Sequence, residues 1–151
     1  MKMRRPGKTE PYILEADRGS ESPTIFNIRE LTWEEMIEVN DDPPMPLKDA
    51  MEVNAIMQLA KEEDRELTEA EVKTVNAISS SDQEMIFKAN KQQAKIVSIG
   101  LDSIDNLFDE NNEPMDMDAK SFVKFARMTE IREIGLAIMA MSQPGANAAK
   151  K

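Results

Sequence analysis

Carboxylates are the only abundant side chains in this sequence that could act on a substrate or hold a cation. The 151 residues include 29 Asp and Glu but no His and no Cys. That absence removes Cys/His nucleophiles, Ser-His-Asp triads, zinc sites and structural disulfides together. Adjacent acids at Glu34-Glu35, Asp41-Asp42 and Glu62-Glu63-Asp64 have the composition of acid/base pairs or magnesium ligands. Acid/base work, however, needs two carboxylates in a cleft whose environments push their pKa values apart. Acidic runs on polar helix faces and loops are solvated alike, and these read that way. The segment Asp105 to Asp118 invites a calcium reading, with Asp109, Asn111 and Glu113 as oxygen donors. An EF-hand loop starting at Asp109 would need Gly at its sixth position and Glu at its twelfth, where Pro114 and Lys120 stand. The five glycines are scattered singly, so no phosphate-cradling loop is present. No catalytic residue, cofactor or metal site is expected. The chain reads as a protein that holds another protein, not as an enzyme.

The elements that would position a binding surface are mainly helical. Tyr12 to Ala16 has strand character, Asp17 to Pro23 is dense in turn formers, and Thr24 to Leu31 alternates in part, so 12–31 reads as a β-hairpin. A lone hairpin is marginal in water and must pack on helices or pair its edge. Thr32…Glu35, Thr68…Glu71 and Ser81…Glu84 have capping-box spacing. They introduce helices over Trp33–Val39, Glu69–Ile78 and Asp82–Ile104. A further helix spans Lys48–Asp64, with Val53, Ile56, Met57 and Ala60 on one face, and a last one spans Ala119–Ser142, capped by Asp118. Gly100 within the fourth helix points to close packing or a local break. The expected fold is mainly α, a small bundle of about five helices with an N-terminal β-hairpin. Residues 1–10 read as a flexible basic arm, 11–143 as one domain and 144–151 as a disordered tail, with no internal repeat.

Charge and hydropathy narrow the partners. All 29 acids lie beyond residue 8, while Lys2, Arg4, Arg5 and Lys8 lie within the first eight residues. A body this negative repels nucleic acid and anionic lipid. The basic start is followed by no apolar stretch of the signal-peptide kind, and the run Ile134–Met141 is too short to cross a bilayer. A soluble chain in a reducing cytosol is expected, with no nucleic-acid or membrane partner. Twelve methionines stand against seven aromatic residues. Met57, Met85, Met128 and Met141 fall on helical stripes that core packing explains, whereas Met45, Met115 and Met117 lie in loops beside proline. Flexible, polarisable Met suits surfaces that accept varied apolar partners. Met115 and Met117, with Phe122, Phe125 and Met128 of the closing helix, are the candidate partner-binding residues.

Two stretches resemble a family. Tyr12…Glu15-Ala16-Asp17-Arg18-Gly19…Ser22-Pro23-Thr24-Ile25-Phe26-Asn27-Ile28-Arg29-Glu30-Leu31-Thr32 is similar to the opening of small tail assembly chaperones of long-tailed bacteriophages. Val97 to Asp109, followed by a polar turn and an amphipathic helix, resembles that group's late segment. Asn111-Asn112-Glu113-Pro114 departs from it, since members often carry a Gly in that turn. The resemblance spans roughly residues 12–142. It implies a protein of the host cytoplasm that binds the tape measure protein and keeps it soluble until tube subunits assemble around it. The tail tube protein is a secondary partner on the same reading, while the hairpin edge offers a route to association with further copies of this chain. The alternative is a structural virion protein, either a minor tail or a head–tail completion subunit.

Overall fold

A computed structural model describes residues 8–79 and 83–142. The residues 1–7 of the expected arm, the expected tail 144–151 and Ser81 of the third capping box lie outside the described residues. The fold is mainly α, with six helices and one small antiparallel sheet among the described residues. The strands are β1 (Glu10–Tyr12), β2 (Ile25–Ile28) and β3 (Leu101–Asp105), in the order β1-β2-β3. The helices are α1 (Trp33–Val39), α2 (Leu47–Glu62), α3 (Glu69–Ser79), α4 (Gln83–Gly100), α5 (Ala119–Phe125) and α6 (Met128–Ser142). The range read as one domain falls into two compact units, one of residues up to Asp41 together with those from Asn90 onward, the other Asp42–Ala89.

The first unit holds the core. Phe26 and Ile28 of β2, Leu31, Val39, Ile96, Val97, Leu101, Phe122, Ile131, Ile134 and Ile138 are buried together. Phe26 meets Phe122 edge to face, with ring centroids 5.2 Å apart. The hairpin expected over 12–31 is present as β1 and β2, paired Glu10 with Ile28 through Tyr12 with Phe26. Its first strand lies earlier than Tyr12–Ala16, because Glu15–Asp17 forms a 3-10 turn. Asp17 Oδ2 accepts the Thr24 amide at 3.2 Å, and the Arg18 guanidinium lies over the Tyr12 ring. The Tyr12 hydroxyl donates to Glu133 Oε2 at 2.8 Å, and the Leu31 amide donates to Ser142 Oγ at 2.8 Å, so both ends of the segment are fastened to α6.

Two expected helices end early, each for a packing reason. The helix expected to run to Ile104 stops at Gly100, and residues 101–105 form β3 on β2. Asp102, Ser103 and Asp105 are weak helix formers. A register shift between Asn27 and Ile28 pairs Ser103 with one and Leu101 with the other, leaving Asp102 as the bulged residue. The bulge allows Leu101 and Ile104, an odd number of positions apart, both to pack on the core. Gly100 also marks close packing: a Cβ there would stand 2.6 Å from Ile138 Cγ2. The helix expected over 119–142 breaks at Ala126–Arg127. Phe122, Phe125, Met128 and Ile131 follow one another in steps of three, so on one straight helix Phe122 and Ile131 would stand about half a turn apart. The break lets both bury. Arg127 donates its amide to Glu130 Oε2 at 3.2 Å and so starts the new helix.

An internal repeat is present after all, correcting the expectation of none. Arg29-Glu30-Leu31-Thr32-Trp33-Glu34-Glu35 and Arg65-Glu66-Leu67-Thr68-Glu69-Ala70-Glu71 share Arg-Glu-Leu-Thr followed by Glu at the seventh place. Both build the same device. Thr32 Oγ1 accepts the Glu35 amide at 3.2 Å while Glu35 Oε1 accepts the Thr32 amide at 2.9 Å; for Thr68 and Glu71 the distances are 3.2 and 3.0 Å. The Arg then grips the capping carboxylate, with Arg29 Nη1 and Nη2 at 2.8 and 2.7 Å from Glu35, and Arg65 Nη1 at 2.7 Å from Glu71. Each Arg also donates to the carbonyl of the Glu after it, at 3.1 Å. The guanidinium hydrogen bonds hold the Glu35 and Glu71 carboxyls at about 2, against an ordinary 4.5.

Two predictions follow from this packing. Gly100→Ala overpacks the Ile138 contact and lowers stability by about 1–3 kcal/mol; in the background of Ile138→Ala the same change costs less, as a urea-denaturation double-mutant cycle measures. Glu35→Gln removes the half-buried Arg29 pair and lowers stability by about 1–2 kcal/mol at neutral pH. Because the folded Glu35 carboxyl titrates below its unfolded value, the pair's contribution is complete above about pH 4.5 and fades towards about pH 2. The two proteins' denaturation midpoints therefore converge across that window.

Candidate protein-binding surface

The acids do structural work. Asp109 Oδ1 accepts the amides of Asn111 and Glu113 at 2.8 and 3.0 Å, and Asn112 takes a left-handed backbone with φ 59°. The loop closes on itself through Phe108 opposite Pro114 and through the Met115 amide on Leu107 O at 2.9 Å. Asp118 caps α5 through the Ser121 amide at 2.8 Å, which holds its carboxyl below the ordinary range. Asp105 accepts from the Asn27 side chain at 2.9 Å on the sheet. Among the described residues no three acids come together as a metal cluster.

The five residues expected to touch a partner divide. Phe122 is only 5% exposed and packs against Phe26, so it belongs to the core and not to a contact surface. Met117 and Met128 are half-buried and pack against the same core. Met115 is half-buried in the closed loop. Phe125 ends α5 and is 74% exposed, which leaves it the one member of the set fully available to a partner. The structure therefore gathers Met117, Phe122 and Met128 inward and leaves Phe125 outside.

Sequence reasoning missed a second apolar patch in this unit. Trp33 and Ile37 lie one turn apart on the outer side of α1 and are 77% and 53% exposed. With Met36, Asn40 and Asp41 they line a shallow concavity of about 430 Å³. The opposite side of α1 buries Val39, and the helix is tied to α4 by Lys95 Nζ on Glu38 O at 2.8 Å and by Gln92 on Asn40 at 3.1 Å. The signal was available in the sequence: Val39 and Met36 already supply α1's inward face, which leaves an i, i+4 pair containing the only Trp on the other side.

The β1 edge of the sheet is a weaker joining surface than the hairpin alone implied, and β3 forms the other edge. β3 occupies one side of β2, and the exposed edge strand β1 is three residues long with Pro11 at its centre. Short length and a missing amide donor both discourage strand addition. No helix among the described residues is long and apolar enough to cross a membrane. Compared with known proteins, the chain matches no family model, no curated protein and no solved structure.

The division of the aromatic residues is testable by chemical denaturation. Phe122→Ala opens the core and costs about 3–5 kcal/mol, whereas Phe125→Asp changes stability by less than about 0.5 kcal/mol.

Proposed function

We propose that this protein is a tail assembly chaperone of a long-tailed bacteriophage, binding the tape measure protein in the host cytoplasm and keeping it soluble during tail assembly. The observation that carries the reading is the exposed apolar surface of a strongly acidic chain. Twelve large hydrophobic residues, Trp33 and Phe125 among them, are exposed among the described residues, on a chain of net charge −10. Exposed apolar side chains provide grip on an apolar helical client, and like charge keeps loaded complexes apart. The absence of His and Cys, and the structural employment of Asp105, Asp109 and Asp118, fit a holding role better than catalysis.

The residues that carry the family resemblance add to this support because they act together. Glu15–Asp17 forms the turn, Phe26 and Ile28 enter the core, Arg29 locks Glu35, and Thr32 caps α1. They specify how the chain is fastened and leave the client surface to other residues.

Co-expression with the tape measure protein is expected to move that client into the soluble fraction and to yield a co-purifying complex. Trp33→Asp combined with Phe125→Asp should preserve the circular dichroism spectrum and lower the recovered complex at least severalfold. Mass spectrometry of purified particles should find the protein absent; stoichiometric presence would favour the structural virion protein instead.

A further inference from the structure

The unit Asp42–Ala89 is a helical assembly that lacks a core of its own. α2 and α3 are in contact, and their connection is tightly specified. Asp64, with φ 48°, ends α2 in a Schellman motif, its amide on Lys61 O at 3.2 Å and the Arg65 amide on Ala60 O at 3.0 Å. Arg65 then locks the cap of α3 through Glu71 and also pairs with Glu63. Yet Ala60 is the sole buried apolar residue in this unit among those described. A unit of this size is marginal even with a full core.

The apolar side chains that would form such a core are present and face outward. On α2, Val53, Ile56 and Ala60 make the packed side. A second stripe, Leu47-Met51-Ala55-Leu59, repeats every four residues along the whole helix and is exposed throughout, with Leu47 and Met51 74% and 64% exposed. Met57 in place of this stripe was expected inward and is instead exposed. Ile86 and Phe87 are exposed on the first turns of α4. The charges beside the stripe are Lys48, which follows Leu47, Glu52, which follows Met51, and Glu62, one turn beyond Leu59, all exposed; the acidic surplus belongs to the unit as a whole. Residues 42–89 carry eleven acids against five bases, and two of those bases, Arg65 and Lys88, are already engaged by Glu63, Glu71, Asp42 and Glu84.

We propose that the α2 stripe is the docking site for an amphipathic helix of another protein whose polar face is basic. A helix laid along Leu47, Met51, Ala55 and Leu59 supplies the missing layer of the bundle, and Lys or Arg beside its apolar face meets the surrounding acids. Charge decides among occupants. A second copy of this chain would bring together two units that each carry eleven acids against five bases. Residues 1–7, though basic, are too few to cover a 16-residue helix and contain Pro6 and Gly7. The inference goes beyond the chaperone reading and stands on the geometry of 42–89 whether or not the partner is a tape measure protein.

The test uses the full chain and three synthetic peptides of about 18 residues. One is a Leu/Lys amphipathic helix, the second its scrambled sequence of identical charge, and the third a Leu/Glu twin. By calorimetry the Leu/Lys helix should bind with micromolar or better affinity, at least tenfold tighter than either control. Met51→Asp, and separately Leu59→Asp, should weaken it at least tenfold with the circular dichroism spectrum unchanged. Hydrogen exchange should slow in 47–79 and 83–89 on binding. Equal binding of the scrambled peptide, equal binding of the Leu/Glu twin, undiminished binding by both variants, or protection confined to residues outside 42–89 would each overturn the proposal. So would self-association of the free protein that Met51→Asp abolishes, because the occupant would then be a second copy. Failure here with a soluble tape measure complex retained removes this surface and leaves the chaperone reading standing; peptide binding without that complex does the reverse.

Discussion

The close approach of α4 to α6 at Gly100 is the contact on which the rest of the first unit depends. Ile138 occupies the space a Cβ at residue 100 would need, so the two helices meet there at a distance only glycine permits. From that point the chain turns directly into β3, and the Gly100 carbonyl accepts the Arg29 amide at 2.9 Å. One residue thus ends a helix, opens a strand and receives the end of β2. Ile96, Val97 and Leu101 are carried into the same core as Phe26, Phe122, Ile131 and Ile134. Interiors packed to this density do not adjust to an added methyl group without displacing side chains already in their rotamers.

Around that core the chain is fastened by short, strongly directional polar contacts. The most developed is the capping box whose Glu is itself held by an Arg three residues before the Thr. It appears once in each compact unit, at 29–35 and 65–71; Arg29 holds Glu35 at 2.8 and 2.7 Å, and Arg65 holds Glu71 at 2.7 and 3.4 Å. In the first copy Leu31 is buried, and in the second Leu67 is only half-buried. The same local device therefore starts a helix in a unit with a full core and in one without. Local hydrogen bonding can set where a helix begins; it cannot supply the burial that stabilises a tertiary unit.

This contrast bears on function. The first unit holds the buried core and shows its large apolar residues outside at Trp33, Ile37, Phe108, Phe125 and Leu136. The second exposes a continuous helical stripe. Exposed apolar side chains set in an acidic field suit the proposed holding of an apolar client. Met51 and Met57 are exposed on α2, where an unbranched side chain adapts to what lies against it.

Much of the framework was legible in sequence. The mainly helical class, the hairpin, the two described capping boxes and the Asp118 cap all follow from local chemistry, because hydroxyls and carboxylates at fixed spacing satisfy the free amides of a helix start wherever they occur. The seven-residue repeat is equally present in the letters, at 29–35 and 65–71, before helices of different composition. What the tertiary structure alone decided is which apolar residues face in. Phe122 and Phe125 stand three positions apart and look alike in a periodic stripe, yet one is core and the other is solvent. Residues 101–105 continue a helical pattern, yet they pair as a strand. Those outcomes depend on the break at Ala126–Arg127 and on an unfilled edge of β2 nearly eighty residues earlier, and no local window contains either. Periodicity states that a face is apolar; only the arrival of a second surface determines whether that face becomes interior or is left for a partner.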